Sequence, residues 1–193
     1  MVSPKIRNIV SILHQNLAAA DFPHALIGAM ALSLYGMPRY TADIDMLADE
    51  TNRNAILQIM TRLGYECFQN ADSFAQFDSA LGVYGKVDFM FAQTKTGRAI
   101  LEKAALVNDE FLGEIPVIQP TDYAVLKLMA IANNPERKNQ DKADLQALFK
   151  TVAMGFVHRD FNDIDIEKLR QFALQFGLSE FLEKLLPLLG DQQ

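Results

Sequence analysis

The segment TADIDMLA, residues 41–48, sets two carboxylates two positions apart in an otherwise largely apolar run. A period of two belongs to a β-strand, so residues 43–48 are expected to form one, with Asp43 and Asp45 on one face and Ile44 and Met46 turned to the core. Carboxylates held side by side repel and raise each other's proton affinity, so the pair is unfavourable unless a cation or basic side chain lies between them. A divalent metal meets that need. A third carboxylate stands in GKVDFMF (85–91), where Val87, Phe89 and Phe91 take one side of a strand and Asp88 the other. Burying it there without a partner would be costly. If the two strands are neighbours, Asp43, Asp45 and Asp88 form an all-oxygen set suited to Mg2+. Such a set supports phosphoryl or nucleotidyl transfer. The plainer alternatives are a solvated strand end for the D-I-D pair and a structural carboxylate with its own partner for Asp88.

The rest of the chain reads as a mixed α/β protein with a helical second half. Ile6, Ile9, Val10, Leu13 and Leu17 recur at helical spacing over residues 4–20. HALIG (24–28) is an expected strand running into Gly28, residues 29–36 a short helix closed by Gly36, and residues 51–64 a helix that Thr51 or Asn52 caps. YECFQN, FAQFDS and GKVDFMF between residues 65 and 91, and IPVIQ (115–119), carry the aromatic and β-branched content of strands. From Pro120 onward four helices are expected, at residues 120–132, 136–153, 166–177 and 179–189. The expected division is a core over residues 1–115 and a helical subdomain over 116–193, packed on the core without a flexible linker.

A second D-I-D, in NDIDIEK (162–168), means something else. It leads into Ile166, Leu169, Phe172, Ala173 and Phe176 at helical spacing, so Asn162 or Asp163 is expected to be the N-cap of a helix. In the helix from residue 120, Lys127 lies among apolar neighbours, and the next helix projects Asp141 and Asp144 toward its own apolar face. A buried structural ion pair is one reading of Lys127 with these acids.

Several function classes are disfavoured. A single cysteine, Cys67, excludes an internal disulfide and a cysteine-based zinc site, and is expected in the core. His14, His24 and His158 are too scattered in sequence to suggest a metal cluster. The net charge of −6 argues against a surface that coats nucleic acid. Sequence-specific DNA binding is not expected, while a local basic patch for RNA stays open. No apolar run approaches a membrane span, and MVSPKIRNIV lacks the features of a signal peptide, so the expected location is the cytoplasm.

Gly28, where a strand meets a helix, lets backbone amides approach a triphosphate, and Arg39 can meet a phosphate as a planar fork. Taken together, IGAMALSLYGMPRYTADIDML resembles the signature of the DNA polymerase β-like nucleotidyltransferase superfamily: strand, glycine turn, short helix, then D-x-D on the next strand and a later third Asp. It is most similar to small bacterial members with G-x-x-R-x-T-x-D-I-D, as in abortive-infection-type toxins of toxin–antitoxin systems. The resemblance implies a nucleotidyltransferase fold, Asp43 and Asp45 as metal ligands, and Asp88 completing the triad and helping to activate the attacking hydroxyl. It implies two Mg2+ ions with an NTP bound, and Gly28, Arg39 and Thr41 on the nucleotide. The acceptor implied is a tRNA end, a protein hydroxyl or a small molecule, and an antitoxin-like partner is possible. The later K-L-x-A and D-K-A-D-L segments resemble the helical region of the same families, which implies Lys127 and Asp144, and less directly Asp141, at the nucleotide. One departure is the turn Gly28-Ala29-Met30, where members often carry Gly-Gly or Gly-Ser. That departure favours the rival reading, a fold relative that has lost catalysis and acts by binding a nucleotide or a partner protein.

Overall fold

In the computed structural model the described residues are 4–37, 41–79, 85–110, 112–134, 136, 138–157 and 159–190. They fall into two units: those within Met1–Ala31 and Arg39–Ile118, and those within Leu32–Pro38 and Gln119–Gln193.

The first unit is built on one sheet. Its elements are α1 (Pro4–Ala19), β1 (His24–Leu26), the start of α2 (Gly28–Leu34), β2 (Asp43–Asp49), α3 (Arg53–Arg62), β3 (Tyr65–Ala71), β4 (Phe74–Ser79), β5 (Lys86–Ala92), α4 (Lys95–Glu102), β6 (Ala105–Asp109) and β7 (Gly113–Val117). Among the described residues seven strands make a mixed sheet in the order β3-β4-β5-β2-β1-β7-β6. β2 runs antiparallel to β1 and parallel to β5, and β1 runs parallel to β7. The period-two pattern sorts one face cleanly: Ile44, Met46 and Ala48 on β2, Val87, Phe89 and Phe91 on β5, and Ala75 and Phe77 on β4 are all buried. Phe77 meets Phe89 edge-on, and Phe89 stacks on Phe91. Burying each such side chain contributes about 1.5–3 kcal/mol, so this apolar face pins the register that aims the alternate residues the other way. On α1, Ile9, Val10, Leu13 and Leu17 are buried at the expected spacing.

The second unit is helical, with α5 (Pro120–Asn133), α6 (Lys138–Ala153), α7 (Ile166–Gln175) and α8 (Ser179–Leu185), followed by a 3-10 turn over Leu186–Leu189. Val125, Leu128 and Ile131 of α5, Leu145, Leu148 and Phe149 of α6, and Leu169 and Ala173 of α7 form its core. Tyr35 joins them by edge-on contacts with Tyr123 and Phe161.

Several local expectations are corrected. The N-cap of α7 is Asp165, whose carboxylate accepts from the Lys168 amide, not Asn162 or Asp163. The second D-I-D is still a helix start, and its last residue does the capping, accepting from the amide three positions on. Before α3 a 3-10 turn intervenes, capped by Asp49 through Thr51. Cys67 is exposed rather than buried, because it lies on the sheet-edge strand β3, whose residues 66–70 all face solvent. The segment that carried no expectation, 93–110, forms α4, capped by Thr94, and β6.

His14 and His24 meet in space. His14 Nδ1 and His24 Nε2 lie 2.9 Å apart, and His24 Nδ1 lies 2.7 Å from the Phe22 carbonyl. A carbonyl only accepts, so His24 carries its proton on Nδ1 and, when neutral, accepts from His14 through Nε2. Burial holds both rings below the ordinary histidine range, against a smaller upward pull from Glu114 on His14 and from the Phe22 carbonyl on His24. His158 lies outside the described residues.

Candidate active site

The register of β2 on β5 places the three aspartates. Asp45 stands opposite Asp88 and Asp43 opposite Lys86. Residues paired across neighbouring strands point to the same face, about 4.8 Å apart, so Asp43, Asp45 and Asp88 share the face opposite the aromatic layer. Asp43 is exposed at the strand's first position, while Asp45 and Asp88 are half-buried. The alternative in which Asp88 lies away from the D-I-D strand is thereby removed.

What surrounds them is partly new. Gln76 of β4 is the cross-strand partner of Asp88, and its Nε2 donates to Asp88 Oδ2 at 2.8 Å. Beyond Asp43, the Lys86 Nζ lies 5.5 Å from the centre of the Phe68 ring. Neither Gln76 nor Phe68 belongs to a motif, and only the order β3-β4-β5 brings them to this face.

Gly28 ends the turn after β1, with φ at 63°. The Ile27 amide donates to the Asp45 carbonyl at 3.0 Å and so draws this turn against β2. A Cβ on Gly28 would stand 2.1 Å from Asp45 Oδ2 and 2.9 Å from Asp45 Cβ. Glycine is therefore required here twice, by its backbone angle and by the carboxylate packed on it. Thr41 braces the start of β2: its hydroxyl donates to the Asp43 carbonyl at 2.9 Å and accepts from the Asp43 amide at 3.2 Å. Arg39 lies outside the described residues.

The donor set suits Mg2+, since it is all carboxylate and shares one face. Among the described residues, however, no three His, Cys, Asp or Glu side chains already converge as a metal-binding group.

In the second unit Lys127 sits between two acids. Its Nζ donates to Asp141 Oδ1 and to Asp144 Oδ2, both at 2.7 Å, and lies 5.5 Å from the Tyr123 ring centre. The side chains of Lys127, Asp141 and Asp144 are only 13%, 2% and 8% exposed. The turn of α6 places both acids inward, as the helical projection requires.

The model of the nucleotidyl transferase AbiEii toxin of type IV toxin–antitoxin systems matches residues 11–190, a span that holds the strand–glycine–helix turn and all three aspartates. The chain belongs to the AbiEii family. This AbiEii-family chain is an enzyme of the nucleotidyltransferase class with a toxin–antitoxin role. Solved structures agree on the fold. An antigenic nucleotidyltransferase-like protein from Paracoccidioides brasiliensis superposes with a TM-score of 0.57 at 17% identity, over 95% of this chain and 93% of that one. ANT(2″)-Ia in complex with adenylyl-2″-tobramycin gives 0.59 at 14%, over 90% and 99%. A lincosamide antibiotic adenylyltransferase, lincomycin-bound, gives 0.53 at 16%, over 74% and 94%. No curated protein sequence is similar enough to the AbiEii-family chain to match it.

Proposed function

We propose that the chain moves a nucleoside monophosphate from an NTP to a hydroxyl acceptor in a Mg2+-dependent reaction, as the toxin of a toxin–antitoxin pair acting in the cytoplasm. The observation that carries this reading is the register of Asp45 on Asp88, with Asp43 on the same face and Gly28 against Asp45. Asp43, Asp45 and Asp88 would hold the metal, two ions when the NTP is bound. Mg2+ held there would neutralise the triphosphate and acidify the acceptor hydroxyl.

The protein's own groups do the rest. Asp88 takes the proton of the acceptor hydroxyl as the new oxygen–phosphorus bond forms and pyrophosphate leaves. Gly28 presents bare backbone to the phosphates, Arg39 meets them as a fork, and Thr41 fixes the start of β2 so that Asp43 stays at its post. Lys127, with Asp144, belongs to the nucleotide contacts by resemblance alone. The acceptor is a tRNA end, a protein hydroxyl or a small molecule. The lincomycin- and tobramycin-bound structures support the last class, because there the fold accommodates a hydroxylated antibiotic.

The turn Gly28-Ala29-Met30 favours a second reading, a binding protein that has lost catalysis. Binding of each labelled NTP, with and without Mg2+, to the wild type and to Asp43→Ala/Asp45→Ala separates the two. Metal-dependent binding lost in the variant, with label carried to tRNA, protein or antibiotic, is the expected result. Failure of every NTP to bind at millimolar concentration would leave only the second reading.

A further inference from the structure

We infer that Gln76 is a positioning residue for Asp88, holding that carboxylate in the orientation from which it serves the reaction; the inference rests on the nucleotidyl-transfer reading above. β4 alternates strictly. Ala75 and Phe77 are buried on the apolar face, and Gln76, between them, is half-buried on the aspartate face. It is the cross-strand partner of Asp88, and its amide nitrogen stands 2.8 Å from Asp88 Oδ2. An ionised carboxylate only accepts, so the contacting amide atom is the N–H donor.

Three properties of this contact suit positioning. The terminal torsion of an aspartate is broad and roughly two-fold, so a carboxylate held only by its own Cβ turns about that bond. A bond from the neighbouring strand to Oδ2 fixes the plane, and with it the direction of Oδ1. The donor is also neutral. A lysine or arginine at the same place would offset the negative charge that an ion or an acceptor proton needs, whereas an amide orients the carboxylate and leaves its charge intact. Finally, the donor sits on β4, a strand paired with β5 over Phe74–Phe77, so both partners are anchored by ladder hydrogen bonds rather than by a loop.

Gln76→Met keeps the chain length and removes the donor, and Gln76→Glu keeps the shape and replaces the donor by an acceptor. Each is assayed in the full-length protein with α-labelled NTPs, Mg2+ and total tRNA, protein or aminoglycoside as acceptor, beside Asp88→Asn. Both Gln76 variants should lose about 10–100-fold in kcat, with KM for the NTP within about threefold; the thermal midpoint stays close to wild type in Gln76→Met and falls in Gln76→Glu, where two carboxylates face each other. Independent of activity, Mn2+ binding to the NTP-free Gln76→Met protein, read by EPR, should weaken by about 10–100-fold. The Gln76 side-chain NH2 resonances should also shift in Asp88→Asn. Wild-type kcat and Mn2+ affinity in Gln76→Met, with only the thermal midpoint lowered, would show a merely structural pair and overturn the inference. Should the wild type transfer no label to any acceptor, the nucleotidyl-transfer reading itself fails and this role with it. Transfer that Asp88→Asn abolishes and Gln76→Met leaves untouched removes Gln76 alone.

Discussion

Replacing Gly28 by alanine tests the turn that brings the helix to the carboxylates. Two penalties add. Gly28 has φ at 63°, and an L-residue in that left-handed region costs about 1–2 kcal/mol. The new methyl would also stand 2.1 Å from Asp45 Oδ2, 2.7 Å from its Cγ and 2.9 Å from its Cβ. Rotating the Asp45 side chain clears the oxygen, but it cannot clear Cβ, which does not move with χ1. Backbone must therefore shift, at about 1–3 kcal/mol for overpacking of this kind. The expected loss is about 2–5 kcal/mol, which for a chain of this length lowers the thermal midpoint by about 5–15 °C. Gly64→Ala is the internal control: Gly64 has φ at 83° but nothing within 4 Å of its Cβ position, so it carries the backbone penalty alone. Urea unfolding of both variants, and of Gly28→Ala/Asp45→Gly, in which the clash is removed, resolves the two contributions. Gly28→Ala should be clearly less stable than Gly64→Ala, and the gap should close in the double variant. In folded Gly28→Ala, nucleotidyl transfer should fall by about 100-fold, the scale of a 1 Å misplacement of a catalytic group. Equal stabilities of Gly28→Ala and Gly64→Ala would refute the packing of Asp45 on Gly28.

Two further perturbations address the second unit and the histidine pair. Lys127→Met strands two buried carboxylates and should cost about 3–5 kcal/mol, most of it recovered in Lys127→Met/Asp141→Asn/Asp144→Asn; a variant with the wild-type urea midpoint but weakened NTP binding would mark Lys127 as a nucleotide contact only. For His14 and His24 the folded-state values lie below the ordinary 6.5, so the unfolded chain binds more protons once pH drops below about 6.5. Stability is then full above 6.5 and is lost as pH falls through the folded values. The urea midpoint should accordingly decline from pH 7.5 to 5.5 in the wild type and decline less in His14→Gln/His24→Leu. A wild-type midpoint as insensitive to pH as that of the variant would contradict the buried neutral pair.

The two D-I-D triplets show where local reading works. Around residue 43 the apolar residues alternate and yield a strand; around residue 163 they recur every three or four and yield a helix start. Both assignments hold because backbone periodicity is decided by near neighbours. The cap of α7 lies two residues beyond Asp163, since which of several polar side chains captures an amide depends on the dihedral angles at the turn. The exposure of Cys67 has a different origin: it depends on whether another strand follows, and β3 lies at the sheet's edge.

The sequence by itself determined the period of each major element, the common face of Asp43 and Asp45, and the inward turn of Asp141 and Asp144, all of which follow from geometry within one element. The tertiary structure decided what stands across from them. The parallel register of β2 on β5 sets Asp88 opposite Asp45, β4 adds Gln76, the Ile27–Asp45 bond lays Gly28 on the carboxylate, and packing of α1 against the sheet brings His14 to His24. Each of these joins residues 10 to 43 positions apart or on separate strands. Such pairings form because burial of the apolar face selects one strand order and one register out of many, and that selection is a property of the whole sheet rather than of any segment in it.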